Sequence, residues 1–171
     1  MVIRRVRATD AAAIAAAVGT SMDHLRPWMP WATPEAAEPS SQLARVAESD
    51  HNWESGLGYV YSVLTTDQGT LVGEIALHRR PADGSVEMGY WIAASQAGQG
   101  YGTSAGKALT AVALALPGVD QVEIHCDVAN AASAAIARKL GYRLDRIEER
   151  HPETPGETGR LMIWVRRRLA H

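Results

Sequence analysis

A chain of 171 residues, 46% of them hydrophobic and 21% charged, predicts one compact domain over 1–171 with enough apolar surface for a core. The net charge of −2 excludes a general grip on nucleic acid, which takes a basic surface able to displace counterions from phosphates. No run approaches ~20 unbroken apolar residues, the charged opening Met1-Val2-Ile3-Arg4-Arg5-Val6-Arg7 does not suit a secretory signal, and the single Cys126 permits no internal disulfide, so the expected setting is reducing, cytoplasmic and off the membrane.

In chain order, residues 2–8 predict a short entry strand. Thr9 and Asp10 offer N-cap oxygens to an alanine-rich helix over 11–18, with Gly19 as its stop. A short helix over 21–26 is expected next. It leads into Leu25-Arg26-Pro27-Trp28-Met29-Pro30-Trp31, where two prolines exclude a continuous helix. Residues 34–39 read as loop, and Ser40 and Ser41 as caps to a helix over 42–53. Strands follow at 58–66, 71–79 and 85–93, joined by the turn signals Asp67-Gln68-Gly69 and Pro81-Ala82-Asp83-Gly84. The pattern then changes. A small-residue helix over 100–116 stops at Pro117-Gly118, and a strand over 119–127 follows. A helix over 130–140 ends at Gly141, and strands over 142–149 and 161–169 close the chain. A run of antiparallel strands that gives way to alternating helices and strands predicts a mixed α/β sheet with helices on both faces.

The sharpest local signal is Gln96-Ala97-Gly98-Gln99-Gly100-Tyr101-Gly102-Thr103, between a predicted strand and a predicted helix. Glycines at alternate positions let backbone N–H groups approach a ligand closely, and the helix behind them presents unpaired amides and the positive end of its dipole. Together they make an anion site suited to pyrophosphate. The dipole contributes only ~0.3–1 kcal/mol, so convergent amide hydrogen bonds must carry most of the grip. Gly100-Tyr101-Gly102-Thr103-Ser104-Ala105 also fits the dinucleotide pattern G-x-G-x-x-A. That pattern belongs after the first strand of a βαβ unit, with an acidic ribose contact ~20 residues on. Here three meandering strands come first, Asp120 falls too early, and only Asp127 is better placed, so a dehydrogenase is disfavoured.

Downstream stands Asn130-Ala131-Ala132-Ser133, leading to Lys139-Leu140-Gly141-Tyr142. Asn130 is a good N-cap, and Ser133 lies three residues on, along the same side of the helix. With the Trp/Pro segment, the glycine loop and Glu87-Met88-Gly89-Tyr90-Trp91-Ile92, these motifs occur in an order that resembles the GCN5-related N-acetyltransferase (GNAT) superfamily. Within it the resemblance is to the ribosomal-protein-alanine acetyltransferase (RimJ/RimL-like) group. It implies a mostly antiparallel twisted sheet with a V-shaped split between the fourth and fifth strands, and acetyl-CoA as co-substrate. The pantetheine arm would pair with backbone near Trp91, Ile92 and Ala93, as an added strand does. The pyrophosphate would rest on amides of Gly98, Gln99, Gly100, Tyr101, Gly102 and Thr103. Asn130 would hold the pantetheine arm, and Ser133 would face the thioester sulfur. Ala97 stands where the family usually has Arg or Gln, which leaves the phosphate contact to the main chain. Ala137 stands where many members carry a tyrosine acid, and Ser133 is this group's usual substitute.

The implied chemistry is aminolysis of a thioester by a primary amine, expected to be a protein or peptide N-terminus. A free α-amine, with a pKa near ~8, is partly neutral already, so a carboxylate acting through water suffices as base. Glu87 is the candidate base, expected to be buried with a raised pKa. Glu74 on the adjacent strand is the reserve and a candidate acceptor contact. Ser133 is the candidate donor to the sulfur, and a backbone N–H near Ile92 the candidate oxyanion donor. Trp28 and Trp31 are expected to line the acceptor pocket, or else to pack in the core. The histidines show no metal-ligand spacing, so no metal is expected. Two alternatives stay open, a small-molecule (antibiotic or polyamine) acetyltransferase and a non-catalytic acyl-CoA sensor. A homodimer is compatible with the sequence.

Overall fold

Alternating apolar residues through the middle of the chain build a seven-stranded sheet. Its strands are β1 (Val2–Arg5), β2 (Gly58–Leu64), β3 (Leu71–Arg80), β4 (Ser85–Ile92), β5 (Gln121–Asp127), β6 (Arg143–Glu149) and β7 (Arg160–Arg167), in the order β1-β2-β3-β4-β5-β7-β6. The structure, a computed structural model, describes residues 1–67 and 69–168. Gln68 of the expected hairpin turn and Leu169 of the expected last strand lie outside the described residues. The helices are α1 (Ala11–Thr20), α2 (Met22–Leu25), α3 (Pro39–Glu54), α4 (Tyr101–Ala115) and α5 (Ala131–Lys139). Among the described residues no helix is long and apolar enough to cross a membrane.

The two-residue period of each strand sorts its side chains between two layers. Val86, Met88, Val122, Ile124, Cys126, Met162 and Trp164 meet Ala105, Leu109 and Ala113 of α4 and Ala134, Ala137 and Leu140 in and after α5. On the other face Leu71 and Trp91 meet Ile14 and Val18 of α1, Leu25 of α2 and Val46 of α3. Small residues let α4 sit close to its neighbours. A Cβ on Gly106 would lie 2.7 Å from Leu140 Cδ1, and one on Gly102 3.1 Å from Ile136 Cδ1.

All neighbouring strands pair antiparallel except β4 and β5. These two run parallel and share only three rungs, Ser85↔Gln121, Val86↔Val122 and Glu87↔Glu123. Beyond Glu87, β4 continues to Ile92 and β5 to Asp127 without a ladder between them. This is the split between the fourth and fifth strands that the family resemblance implied.

Two helix starts differ from expectation. Asp10 does not cap α1. Its buried carboxylate instead takes two hydrogen bonds of 2.7 Å from Arg4, one of 2.9 Å from the Arg7 amide and one of 2.9 Å from the Ser62 hydroxyl. Charge-assisted partners outcompete a neutral helix amide. Helix α3 begins at Pro39, before the expected serine caps, because proline lacks only an N–H that the first helical turn leaves unpaired anyway. Gly19 is absorbed into α1 rather than ending it.

Burial opposes ionisation of Asp10, but Arg4, the Arg7 amide and Ser62 outweigh it and hold the carboxyl below the usual range. A depressed folded-state pKa contributes stability above the unfolded value of ~3.9 and loses it as pH falls further. Asp10→Asn is expected to cost about 1.5–3 kcal/mol near neutrality, and the difference from wild type should shrink below about pH 4. Urea unfolding at both pH values measures this.

Candidate active site

The glycine loop ends in a left-handed turn. Gly98 has φ 76° and Gly100 φ 84°, a region closed to most side chains, and a Cβ at either would meet nothing within 4 Å. Gly100 is the N-cap of α4 and brings no side chain to its own first turn. Among the described residues, the amides of residues 98–103 find no protein acceptor, whereas the Ala97 amide before them and the Ser104 amide after them are bonded to Ala94 and Gly100 carbonyls. The loop is therefore an open nest of N–H groups at a helix N-terminus, with the chemistry of a phosphate seat. The Gln99 side chain turns back to the Ser95 carbonyl at 3.2 Å.

The split opens beside this nest. On its α5 side, Asn130 Oδ1 accepts from the Ser133 amide at 3.1 Å and caps the helix. Its Nδ2 hydrogens have no protein acceptor among the described residues, as an amide has donors and an acceptor at once. Ser133 Oγ meets the Tyr90 phenol at 2.9 Å, a contact from α5 to β4 across the mouth of the split. Tyr90 carried no role in the sequence reading, although it lies within one of the motifs. Alternation along β4 could have placed it on the α5 face, but only the fold shows that it reaches Ser133. Burial raises the Tyr90 pKa, against the opposing effect of its Ser133 hydrogen bond, so the phenol keeps its proton. Burial likewise raises the Cys126 thiol, which packs in the α4/α5 layer. The Ala93 amide, at the end of the split, is given to the Val72 carbonyl at 2.8 Å.

The split belongs to one cavity of about 1190 Å³ that reaches from the glycine loop and α5 to the opposite face of the sheet, where the tryptophans stand. Trp31, partly exposed, stands edge-on to Trp91 with ring centroids 5.9 Å apart. Trp28 and Met29 also line it. The Trp91 indole donates to Glu74 Oε2 at 3.0 Å, and Arg45 holds both Glu74 oxygens at 2.7 and 2.8 Å. Glu74 thus braces the Trp91 wall, and its oxygens are already taken. The β6–β7 loop closes the pocket's far side. The Thr154 hydroxyl and Gly156 amide donate to the Pro27 carbonyl at 2.6 and 3.1 Å, and a Cβ on Gly156 would stand 2.4 Å from that oxygen. Asp127 anchors the loop's other end through the Thr158, Gly159 and Arg160 amides and the Thr158 hydroxyl.

At the narrow end, where the split begins, Glu87 is only partly buried, and Arg80 is paired with its Oε2. The apolar enclosure expected of a base is replaced here by an ion pair. Two residues farther along the same face of β4, Gly89 leaves open space where a side chain would be.

Over residues 1–143 the sequence matches the acetyltransferase (GNAT) domain family. The chain belongs to that family. No curated protein matches the acetyltransferase by sequence. Solved structures do match by shape. RimL, a ribosomal L7/L12 α-N-protein acetyltransferase in complex with coenzyme A, is 19% identical with a TM-score of 0.87, over 96% of this chain and 92% of its own. RimJ of Mycobacterium smegmatis, in complex with CoA-disulfide, is 22% identical with a TM-score of 0.84, over 96% and 80%. The microcin C7 self-immunity acetyltransferase MccE, in complex with acetyl-CoA and AMP, is 16% identical with a TM-score of 0.87, over 96% and 91%. At these identities the likeness is one of fold. Among the described residues of the acetyltransferase, no three His, Cys, Asp or Glu side chains form a group that could hold a metal ion.

A left-handed alanine costs about 1–2 kcal/mol more than glycine. Gly100→Ala should therefore relax the amide nest and weaken coenzyme A binding by about 5–30-fold. The melting temperature should change little, since no packing is disturbed. Isothermal titration with a thermal melt of each protein checks both.

Proposed function

We propose that the acetyltransferase transfers the acetyl group of acetyl-CoA to a primary amine, namely the N-terminal α-amine of a protein or peptide. The observation that carries this reading is the open edge of β4 past Glu87, with unclaimed amides of the glycine loop at one side and the Tyr90–Ser133 bridge at the other. A pantetheine arm fits such an edge as an added strand, and the diphosphate fits the loop. The residues present match the requirements of the coenzyme, with main-chain groups in place of an arginine or glutamine at Ala97. The α-N-protein acetyltransferase among the structural neighbours supports the choice of acceptor, as does the continuation of the cavity to a face lined by Trp28, Trp31 and Trp91. A small amine is the second reading, and the acyl-transferring neighbour that binds AMP is what favours it.

In this reading the amine enters from the tryptophan side and meets the thioester in the split. Glu87 supplies negative charge near the entering ammonium and, through water, a route for its first proton. With the Tyr90 phenol as the donor in its 2.9 Å contact with Ser133 Oγ, the serine hydroxyl is free to donate to the departing sulfur. Asn130 holds the pantetheine arm through its free amide hydrogens, and a main-chain N–H near Ile92 receives the oxyanion.

Thiol release from acetyl-CoA with a panel of N-terminal peptides and small amines tests the proposal. Peptide-dependent release supports it. Release only with small amines overturns the acceptor class, and binding of acetyl-CoA with no release across the panel supports a sensor instead. Glu87→Gln should lower kcat/KM about 10–100-fold at pH 7, with the deficit shrinking above about pH 8, where an α-amine is neutral unaided. Tyr90→Phe should lower kcat by about 10-fold or more while the Kd for acetyl-CoA stays within twofold, since the phenol is assigned to the leaving sulfur and not to binding.

A further inference from the structure

Thioester aminolysis has a second proton to dispose of. Once the neutral amine bonds to the acetyl carbon, its nitrogen is positively charged, and it must lose that proton before the amide is stable. No residue assigned so far takes it.

One cluster on the acceptor face is placed to do so. Glu87 and Glu123 are the last paired rung of β4 and β5. His125 is the next side chain on that face of β5, the first beyond the point where the strands part, and it is largely buried. Its Nε2 is 2.7 Å from Glu123 Oε2, and its Nδ1 points toward Glu87 with a separation of 3.6 Å, too long for a hydrogen bond. Glu123 is itself buried, and its other oxygen accepts from Gln121 at 2.8 Å. A carboxylate on one imidazole nitrogen fixes the tautomer with the proton on Nε2 and leaves Nδ1 as an acceptor. The gap at Gly89, on the face of β4 that carries Glu87, gives a reacting nitrogen room to approach.

We infer that His125 is a catalytic base of this acetyltransferase, taking through Nδ1 the proton that the amine nitrogen sheds as its bond to the acetyl carbon forms, with Glu123 as its positioning residue. This rests on the transfer reading above. The steps balance. The C–N bond forms with the nitrogen's lone pair, and an N–H bond breaks as its proton goes to Nδ1. The C–S bond breaks with its electron pair going to sulfur, which takes a proton from the Ser133 hydroxyl. The imidazolium then loses its proton to water, and Ser133 regains one from water through Tyr90. Imidazolium is stabilised by Glu123 and Glu87. The other charged or titratable groups around it are His78 and Arg80 on β3 and Arg146 and Glu148 on β6. Arg80 is tied to Glu87, and Arg146 to Glu148 and Asp145. No charged partner comes from β7, where the residue beside His125 is Ile163.

The test is kcat at saturating peptide and acetyl-CoA, from pH 5.5 to 9, for wild type, His125→Gln, His125→Ala, Glu123→Gln and Glu123→Asp. The wild-type kcat should fall on the acid side as the base is protonated. His125→Gln should lose about 100-fold or more in kcat at pH 8 and lose that acid limb, while acetyl-CoA affinity and melting temperature stay close to wild type. Added imidazole should restore part of the His125→Ala rate. Glu123→Gln should shift the acid limb, and Glu123→Asp should return it toward wild type. A kcat for His125→Gln within threefold of wild type with the same limb overturns the inference, as does failure of imidazole to rescue a folded, acetyl-CoA-binding His125→Ala protein. Absence of thiol release by the wild-type chain would instead overturn the transfer reading, and this inference with it. A loss in Glu87→Gln that fades at high pH, beside a loss in His125→Gln that does not, separates the two proton acceptors.

Discussion

The parting of β4 from β5 after a single stretch of three rungs is the constraint on which the rest of this molecule depends. A strand edge in the middle of a sheet carries N–H and C=O groups that would be costly to leave unpaired in a dry interior. Here they face a channel that is open on both sides of the sheet. The helices are arranged to keep it so. α4 and α5 pack closely through Gly102, Gly106 and the alanines of α5, and this presses the nest of amides and the Asn130 cap against one side of the opening. On the other side the tryptophans and the β6–β7 loop wall off a second entrance, held to each other through the Pro27 carbonyl. Two substrates can therefore reach one point from opposite faces of a single sheet.

The electrostatics at that point are asymmetric. On the α5 face stand two neutral hydroxyls, that of Ser133 and that of Tyr90, whose proton burial keeps in place. On the opposite face stand Glu87, Glu123 and His125, groups that accept protons or hold negative charge. A donor side and an acceptor side separated by the thickness of the sheet suit a reaction in which nitrogen loses protons while sulfur gains one. Neither group of residues has to serve both roles, so each can be tuned by its own surroundings.

Much of this was legible in the chain. The alternate glycines of the phosphate loop, Asn130 with Ser133, and the switch from a meander to alternating helices and strands depend on spacing within a few residues, which sequence displays directly. The features that were not legible depend on partners far apart in the chain. Glu74 read as a reserve base and acceptor contact because Arg45, its partner from α3, gives no local sign of the pairing. Asp10 looked like a helix cap because the Arg4 side chain that claims it is recognisable only once β1 folds back. His125 showed no partner by spacing, like the other histidines. Periodicity gives the face on which it lies, but not that the strand beside it ends its pairing one step earlier and leaves Glu87 within reach.

The most direct test of the central claim is amide hydrogen exchange on the 171-residue chain, with and without acetyl-CoA. Slowed exchange confined chiefly to the alternate β4 amides of Met88, Tyr90 and Ile92, which point away from β3, and to 98–103 in the glycine loop is the expected result, since those amides lack protein partners until a ligand supplies them. Unchanged exchange in both segments at a saturating concentration, with protection appearing elsewhere, would contradict the account.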